Sequence, residues 1–471
     1  MPWPEGMTPV RMRRVAVVVP RAALRDALVR IAEAGCVELD RVEETAPGPA
    51  ALRLRRLAGR GGPEGAVPAV LAVTSPDLDR LEDRRETSLL TGEAELEERA
   101  EGAVREGEVS ALAGWCPAGE VPRVAERLAA AGGALLPLPS PRGTDPPTLL
   151  RTAGEVSFTP LVTTYGTPSY ADLDPSWPAG LAYVVMFGIM FGDVGHGALL
   201  VLGALALRFG RSRRLAPLHR LWPFLAGAGL AAMLAGAAYG EFFGPTGVLP
   251  VLWLAPLESP ARLLAAAVVF GAGLLALSHV AGAVNRVREG GWVAGLYAAS
   301  GVAGLLFYLG LASAAAGLVL HVPSAAVAGA TLASAGLALV ALGLFRATAG
   351  GGVGLAETGV RLFDVVVRTG TNTLSFARLA AFGLTHAALA DLVWRGTTGL
   401  AARGPAWWAG AALLFAVGTA LSFGLEALVA GVQALRLEFY EIFSRLFETE
   451  GRPFHPWHVP PAEPADALLR R

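Results

Sequence analysis

Two regimes of hydrophobic patterning divide this chain near residue 177. Before it, apolar positions recur at strand and helix spacings among charges of both signs. After it, apolar runs of membrane-spanning length are separated by short polar stretches. In the first regime, Val15-Ala16-Val17-Val18-Val19 predicts a buried strand, residues 21–34 an amphipathic helix stopped by Gly35, and residues 36–41 a second strand. Residues 109–115, 121–131 and 134–139 repeat that strand–helix–strand order. Between the halves, residues 78–108 are rich in Glu and Arg and helix-prone. The economical reading is a small cytoplasmic α/β domain over residues 1–150, interrupted by a short helical arm over about 50–108. The mixed charges of that arm fit either solvated helices or a partner-binding coiled coil.

The Pro/Thr/Asp-rich stretch 163–178 marks a linker, 151–177, that meets a membrane surface. The charge-poor runs that follow are 176–207, 221–240, 263–285, 291–345, 365–394 and 404–425. Each is near or above the ~20 residues a spanning helix needs, and 291–345 is long enough for two. Arg placement then orients them. The stretch 208–220 holds Arg208, Arg211, Arg213, Arg214 and Arg220 and no acid, so it reads as cytoplasmic; 245–261 carries only Glu258 beside Arg-free sequence and reads as outward. Arg286 and Arg288 mark the next cytoplasmic turn, and 346–364 another. A cytoplasmic first domain agrees with this alternation only if 176–207 enters and returns as two short helices broken around Gly188, Gly192, Gly195 and Gly197. The expected fold is therefore mostly α: a polytopic helical membrane domain over 178–440, with about eight segments and two long tilted helices at its end, then a cytoplasmic tail over 441–471.

Composition narrows the classes. Of 471 residues, 53% are hydrophobic and 17% charged, which excludes a wholly soluble protein. A net charge of −1 points neither to nucleic acid nor to a polybasic anchor. Every cation is Arg, which reads as the coding bias of a GC-rich bacterial genome and not as function. Cys36 and Cys116 are too few for a disulfide framework or a metal site, so no metal is expected. Residues 1–16 lack an apolar stretch shaped like a signal peptide. The chain carries no Walker motif, zinc motif or nucleophile elbow, so ATP hydrolysis and a bound cofactor are not expected of it.

The chemistry concentrates in the last two membrane helices. Arg378 lies in Leu374-Ser375-Phe376-Ala377-Arg378-Leu379-Ala380-Ala381-Phe382-Gly383-Leu384-Thr385-His386. A charge at bilayer depth costs at least ~3 kcal/mol, and Arg cannot shed its proton to escape. His386 lies on the same helix at ~80° of rotation and ~12 Å of rise. On the following helix Glu426 and Arg436 share one broad face, ~15 Å apart along the axis. Two facing polar stripes inside lipid suggest an aqueous or proton path. The alternative is an Arg378–Glu426 or Arg436–Glu426 pair that pins the helices, or, for Arg436, snorkelling to the interface. Asp193 and His196, in Phe191-Gly192-Asp193-Val194-Gly195-His196-Gly197, could shuttle protons or cap a helix break. Glu241, in Tyr239-Gly240-Glu241-Phe242-Phe243-Gly244, could join them or sit at the interface. His279 and His321 have no ligand neighbours in the sequence and read as packing or interface residues.

These segments carry a resemblance. Thr167-Pro168-Ser169-Tyr170 with Leu173-Asp174-Pro175, the 190–197 segment, the 239–244 segment, Asn372-Thr373-Leu374-Ser375-Phe376-Ala377-Arg378-Leu379 with His386, Gln433-Ala434-Leu435-Arg436-Leu437-Glu438-Phe439 and Glu450-Gly451-Arg452-Pro453-Phe454 occur in the order found in V-type ATPase subunit a, called subunit I in prokaryotic V/A-type enzymes. The Arg378 segment is the most specific of them. Gly114-Trp115-Cys116-Pro117 and Pro146-Pro147-Thr148-Leu149-Leu150 extend the resemblance weakly into the first domain. The resemblance implies a stator that faces a rotating proteolipid c-ring and works with peripheral stalk and central rotor subunits, in the plasma membrane. It implies that Arg378 is the ring-facing essential arginine, with His386, Glu426 and Arg436 as half-channel residues and Asp193, His196 and Glu241 as lesser contributors. A fixed guanidinium favours the ionised form of each passing ring carboxylate, and its charge stops protons hopping directly between the half-channels. The family's cytoplasmic domain is usually about twice as long, so stalk attachment here would need a compact surface. A secondary transporter that binds an anionic solute at Arg378 and a purely structural anchor are the rival readings. The former should show repeat-related halves, which the sequence lacks.

Overall fold

The computed structural model describes residues 8–40, 46–59, 67–141, 144–151, 158–210, 218–219, 221–348, 350–446 and 450–462. The chain forms two compact units, one of Pro9–Leu149 with the segment beginning at Gly451, the other of Leu150–Glu450 with the first residues.

The first unit is an antiparallel sheet covered by helices. Strand β1 (Met12–Pro20) is followed by α1 (Leu24–Ala34) and β2 (Glu38–Leu39). The arm contributes α2 (Pro49–Ala58), α3 (Leu78–Asp83) and α4 (Thr87–Glu101); then come β3 (Val104–Glu106), β4 (Val109–Pro117), α5 (Val121–Ala129) and β5 (Ala134–Pro137). The strand order β2-β4-β1-β5 interleaves the two strand–helix–strand halves read in the sequence. Val15, Val17 and Val19 are each 1% exposed, whereas Ala16 and Val18 are only half-buried, so the five-residue apolar run covers one face. Gly35 ends α1 in the left-handed conformation, at φ 60°. The arm does not stand free. Leu57, Leu81 and Leu90 form its own small core, and the Arg25 guanidinium pairs with buried Glu93 at 2.6 Å, joining α1 to α4. Cys36 and Cys116 are free thiols that share a hydrogen bond, which lowers the pKa of Cys36 and, with burial, raises that of Cys116.

The segment 451–462 belongs to this unit. Trp457 and Val459 are 5% and 2% exposed in the sheet core, and their N–H groups donate to the carbonyls of Val37 and Ala32. The sequence reading placed 441–471 in a separate tail, because two buried apolar residues among prolines and histidines make no periodic signal. Residues 463–471 lie outside the described part.

The second unit is a helical membrane bundle. It contains α6 (Thr159–Tyr165), α7 (Ser176–Met190), α8 (Val194–Phe209), α9 (Trp222–Tyr239), α10 (Pro260–Tyr297), α11 (Val302–Val319), α12 (Pro323–Arg346), α13 (Gly351–Ser375), α14 (Ala377–Ala401), α15 (Trp408–Leu437), a π-helical turn (Glu438–Phe443) and α16 (Ser444–Leu446). Among the described residues, 6 helical segments are long and apolar enough to cross a membrane, and α7 and α8 are shorter apolar helices. The 176–207 run is thus broken into two helices, as its glycines suggest. The close packing of α8 on α9 explains part of that glycine content: a Cβ on Gly197 would lie 2.7 Å from the Gly229 carbonyl oxygen. The run α10 is itself broken at Gly291, at φ 76°.

Within 346–364, expected as a cytoplasmic turn, the chain is helical from Gly351. Its charges pair at helical spacing, Glu357 with Arg361 at 2.6 Å and Asp364 with Arg368 at 3.0 Å, so they extend the helix. The helical run continues through a break at Ser375–Phe376 into α14, which places Arg378 in the first turn after the break. Most of the Arg-rich 208–220 stretch lies outside the described residues.

Candidate ion-path site

The break between α7 and α8 builds the first part of the site. Asp193 is fully buried and N-caps α8, accepting from the His196 N–H at 2.8 Å. The same carboxylate accepts from the N–H groups of Phe243 at 3.0 Å and Gly244 at 2.7 Å, so it also fixes the turn after α9. Asp193 therefore takes the capping role weighed for it, and in doing so brings Glu241 inward. Glu241 is 4% exposed, and its Oε2 has no hydrogen-bond partner, which removes the interfacial reading. Phe243 holds a positive φ of 48°, unusual for a bulky residue, and its ring packs edge-on to His196.

Helices α14 and α15 supply the rest. His386 is 2% exposed, and its Nδ1 is hydrogen-bonded to a Glu426 carboxylate oxygen. His196 and His386 stand with ring centroids 5.4 Å apart, enclosed by Phe191 and Phe423. The structure thus gathers Asp193, His196, Glu241, His386 and Glu426, five residues from four stretches of sequence, into one buried polar cluster. Asp193, His196 and His386 each offer a ligand atom within 4.8 Å of the others, and are the residues of this cluster able to hold a metal ion together.

Arg378 stands apart from it. The guanidinium is half-buried, and among the described residues no carboxylate lies within salt-bridge distance of it. The alternative Arg378–Glu426 pin does not form, since Glu426 is engaged by His386. The ionic neighbours of Arg378 are Arg436 and Glu441. Arg436 is exposed, its guanidinium 6.0 Å from the Tyr440 ring centroid, and it forms no pair with Glu426.

A second polar cluster was missed in the sequence. Glu438 and Glu441, on the π-helical turn, are 0% and 7% exposed. Ser375, Arg378, Arg436 and Arg445 surround Glu441. Arg445 donates to His279 Nε2 at 2.6 Å; His279 Nδ1 is bonded to the Leu275 carbonyl at 2.8 Å, and its ring stacks on Tyr308 at 4.8 Å. His279 is therefore more than packing, because a partner 166 residues away completes it. The available signal was Glu438, Glu441 and Arg445 recurring at helical spacing beyond Arg436. Glu438 also lines an apolar cavity of about 270 Å³ between α7 and α10.

These features define a class: a multi-pass helical membrane protein whose last long helices set a cation between two buried clusters of ionisable groups. Residues 104–225 match the V-type ATPase 116kDa subunit family. The chain is 28% identical over 379 residues to the A-type ATP synthase subunit I of Halobacterium salinarum, covering 66% of this chain and 51% of that protein. Against the same subunit of Thermococcus kodakarensis it is 26% identical over 375 residues, 74% of this chain and 54% of the other. A shorter match, 34% over 119 residues, covers 23% of this chain and 14% of the human V-type proton ATPase 116 kDa subunit a 3. The chain is similar to these subunit I and subunit a proteins over the stretches matched, and it spans about half the length of the archaeal relatives.

Proposed function

We propose that this chain is the membrane stator subunit of a rotary V/A-type ATPase, carrying H⁺ or Na⁺ past a proteolipid ring while head subunits hydrolyse or make ATP. The observation that carries this reading is the setting of Arg378. It is a permanent cation in the membrane unit that forms no ion pair at salt-bridge distance among the described residues; Glu426 is taken by His386, and Glu441, its acidic neighbour, is shared with Arg436 and Arg445. An internal pin would consume its charge; a ring carboxylate arriving from a partner would use it. Each cluster then acts as an access path. His386, Glu426, Glu241 and His196 exchange protons on one side of Arg378, and Glu441, with His279 behind Arg445, does so on the other. Arg378 favours the ionised ring carboxylate and separates the two paths. In this reading the sheet unit and the segment 451–462 are cytoplasmic, the chain sits in a bacterial plasma membrane, and the stalk and rotor subunits complete the complex.

The test is Arg378→Ala in the assembled complex. Co-purification with a small proteolipid and with ATP-hydrolysing subunits should persist, while coupled ion transport in vesicles should vanish. Full pumping by that variant would overturn the assignment, as would purification without any proteolipid.

A further inference from the structure

We propose that Asp193, His196 and His386 form a binding site for a divalent transition-metal cation of the zinc type, and that its occupancy arrests ion passage through His386. The donor set is two imidazoles and a carboxylate, which suits zinc and its neighbours better than calcium or magnesium. The three ligand atoms already lie within 4.8 Å of one another. Four-coordinate zinc with bonds near 2.0–2.1 Å wants ligand atoms roughly 3.3 Å apart. The His196 Nδ1 to Asp193 Oδ1 separation, 3.7 Å, is too long for a hydrogen bond and close to that spacing.

The unsatisfied atoms point the same way. Both ring nitrogens of His196 and Nε2 of His386 are buried with no hydrogen-bond partner. Buried polar atoms normally have partners, and one nitrogen of each ring lies with an Asp193 oxygen in the same small space, where a cation would satisfy them together. The surroundings hold each ligand in place. The Nδ1–H of a neutral His386 donates to Glu426, which aims the Nε2 lone pair inward, the carboxylate–histidine–metal arrangement that orients ligands in metalloproteins. Asp193 is held by three backbone N–H groups, two on Oδ1 and one on Oδ2, which leaves a lone pair free on Oδ2. Phenylalanines 191, 243 and 423 wall the histidines. The ligand Asp193 and the supporting Glu426 balance a charge of +2, and Glu241, whose Oε2 has no partner, is at hand for the remaining position. A bound cation would occupy the lone pairs through which His196 and His386 exchange protons. Only this transport consequence rests on the function proposed above.

The probe is Co²⁺ titrated into the purified chain in detergent, followed by its visible d–d absorption and displaced by Zn²⁺. One equivalent should bind with a four-coordinate spectrum. His196→Ala should abolish that spectrum, and Glu426→Gln, which removes a supporting group, should weaken binding roughly 10–100-fold. His321→Ala, a histidine outside the cluster, should leave it unchanged. Should His196→Ala fold poorly, His196→Gln and a Zn²⁺-induced rise in the thermal midpoint of the unaltered chain replace it. Equal stoichiometric binding by the unaltered chain and both His196 variants, or no binding by the unaltered chain, overturns the site. In vesicles holding the whole complex, micromolar Zn²⁺ should inhibit transport by the unaltered complex, and a chelator should restore it. Stoichiometric binding through His196 without inhibition would leave the metal site standing and count against the ion path.

Discussion

His386 Nδ1 and a Glu426 carboxylate oxygen are hydrogen-bonded across α14 and α15, so Glu426 is engaged by the histidine and not by Arg378. We expect His386→Ala to strand Glu426 inside the bundle and to cost about 2 kcal/mol, the net value of a hydrogen bond to a charged group. A double-mutant cycle with Glu426→Gln, read by thermal unfolding in detergent, should be clearly non-additive. Additive losses would mean that the two side chains do not act as a pair.

Arg378→Lys should fail almost as fully as removal of the charge. A lysine in this position can release its proton, and it lacks the planar fork of the guanidinium. Coupled transport should fall at least about 10-fold, in line with a lost charge barrier of 1.4 kcal/mol or more, and passive proton leak should rise. Vesicle acidification with and without ATP separates the two effects. Unaltered coupling in Arg378→Lys would show that a fixed charge is not what the position requires.

Asp193 serves three backbone donors, so its loss should be structural first. We expect Asp193→Ala to cost about 3 kcal/mol, combining a lost N-cap with stranded N–H groups, and Asp193→Asn to cost less because one acceptor oxygen remains. Thermal midpoints of the two variants in detergent decide this, and equal midpoints would argue against the capping role.

The loop before α7 should respond to pH. Asp172 is fully buried beside Glu289, with Arg286 and Arg288 nearby, and burial together with that neighbouring carboxylate raises its pKa to about 7. The folded chain therefore keeps this proton to higher pH than the unfolded chain does. The stability it contributes is whole below pH ~4, declines as pH rises, and is lost above about 7. Asp172→Asn should flatten the dependence between pH 5 and 8 in hydrogen exchange of residues 166–175. An unchanged slope in that variant would place the titration elsewhere.

Trp457→Ala should cost about 3–5 kcal/mol, the usual penalty for deleting a buried aromatic, and should release the segment 451–462 to protease. The side chain is 5% exposed, and its indole N–H donates to Glu95 at 3.0 Å. Resistance of that segment in the variant would show that its backbone bonds alone suffice.

How much of this was legible depends on the range of each interaction. The two strand–helix–strand halves, the Gly35 stop and the broken 176–207 run are local, and periodicity with glycine placement revealed them. The pairing of His386 with Glu426 could be expected from facing polar stripes, although the sequence equally allowed Glu426 to pair with Arg378. The turn at 241–244 folding onto Asp193 was not readable, because its signal is three backbone N–H groups, which carry no residue identity. His279 reads as packing from the sequence because its partner Arg445 lies 166 residues away. The start of α13 is not legible from hydropathy, because Glu357, Arg361, Asp364 and Arg368 lower it while at i, i+4 spacing they support a helix.

The π-helical turn at Glu438–Phe443 has a consequence for how this chain tolerates length changes. Its i→i+5 bonding accommodates one residue more than an α-helical turn would, so it behaves as an insertion absorbed within a continuous helix. Deleting a single residue there would relax the turn to α-helix and leave the flanking helix in nearly the same phase. The same deletion within regular α-helix just before it would rotate everything downstream by about 100°. In that second case Arg445 would swing off His279, and the two clusters would lose their alignment about Arg378 with no change in composition. The phase of one helical turn, as much as any side chain, sets the polar register of the bundle.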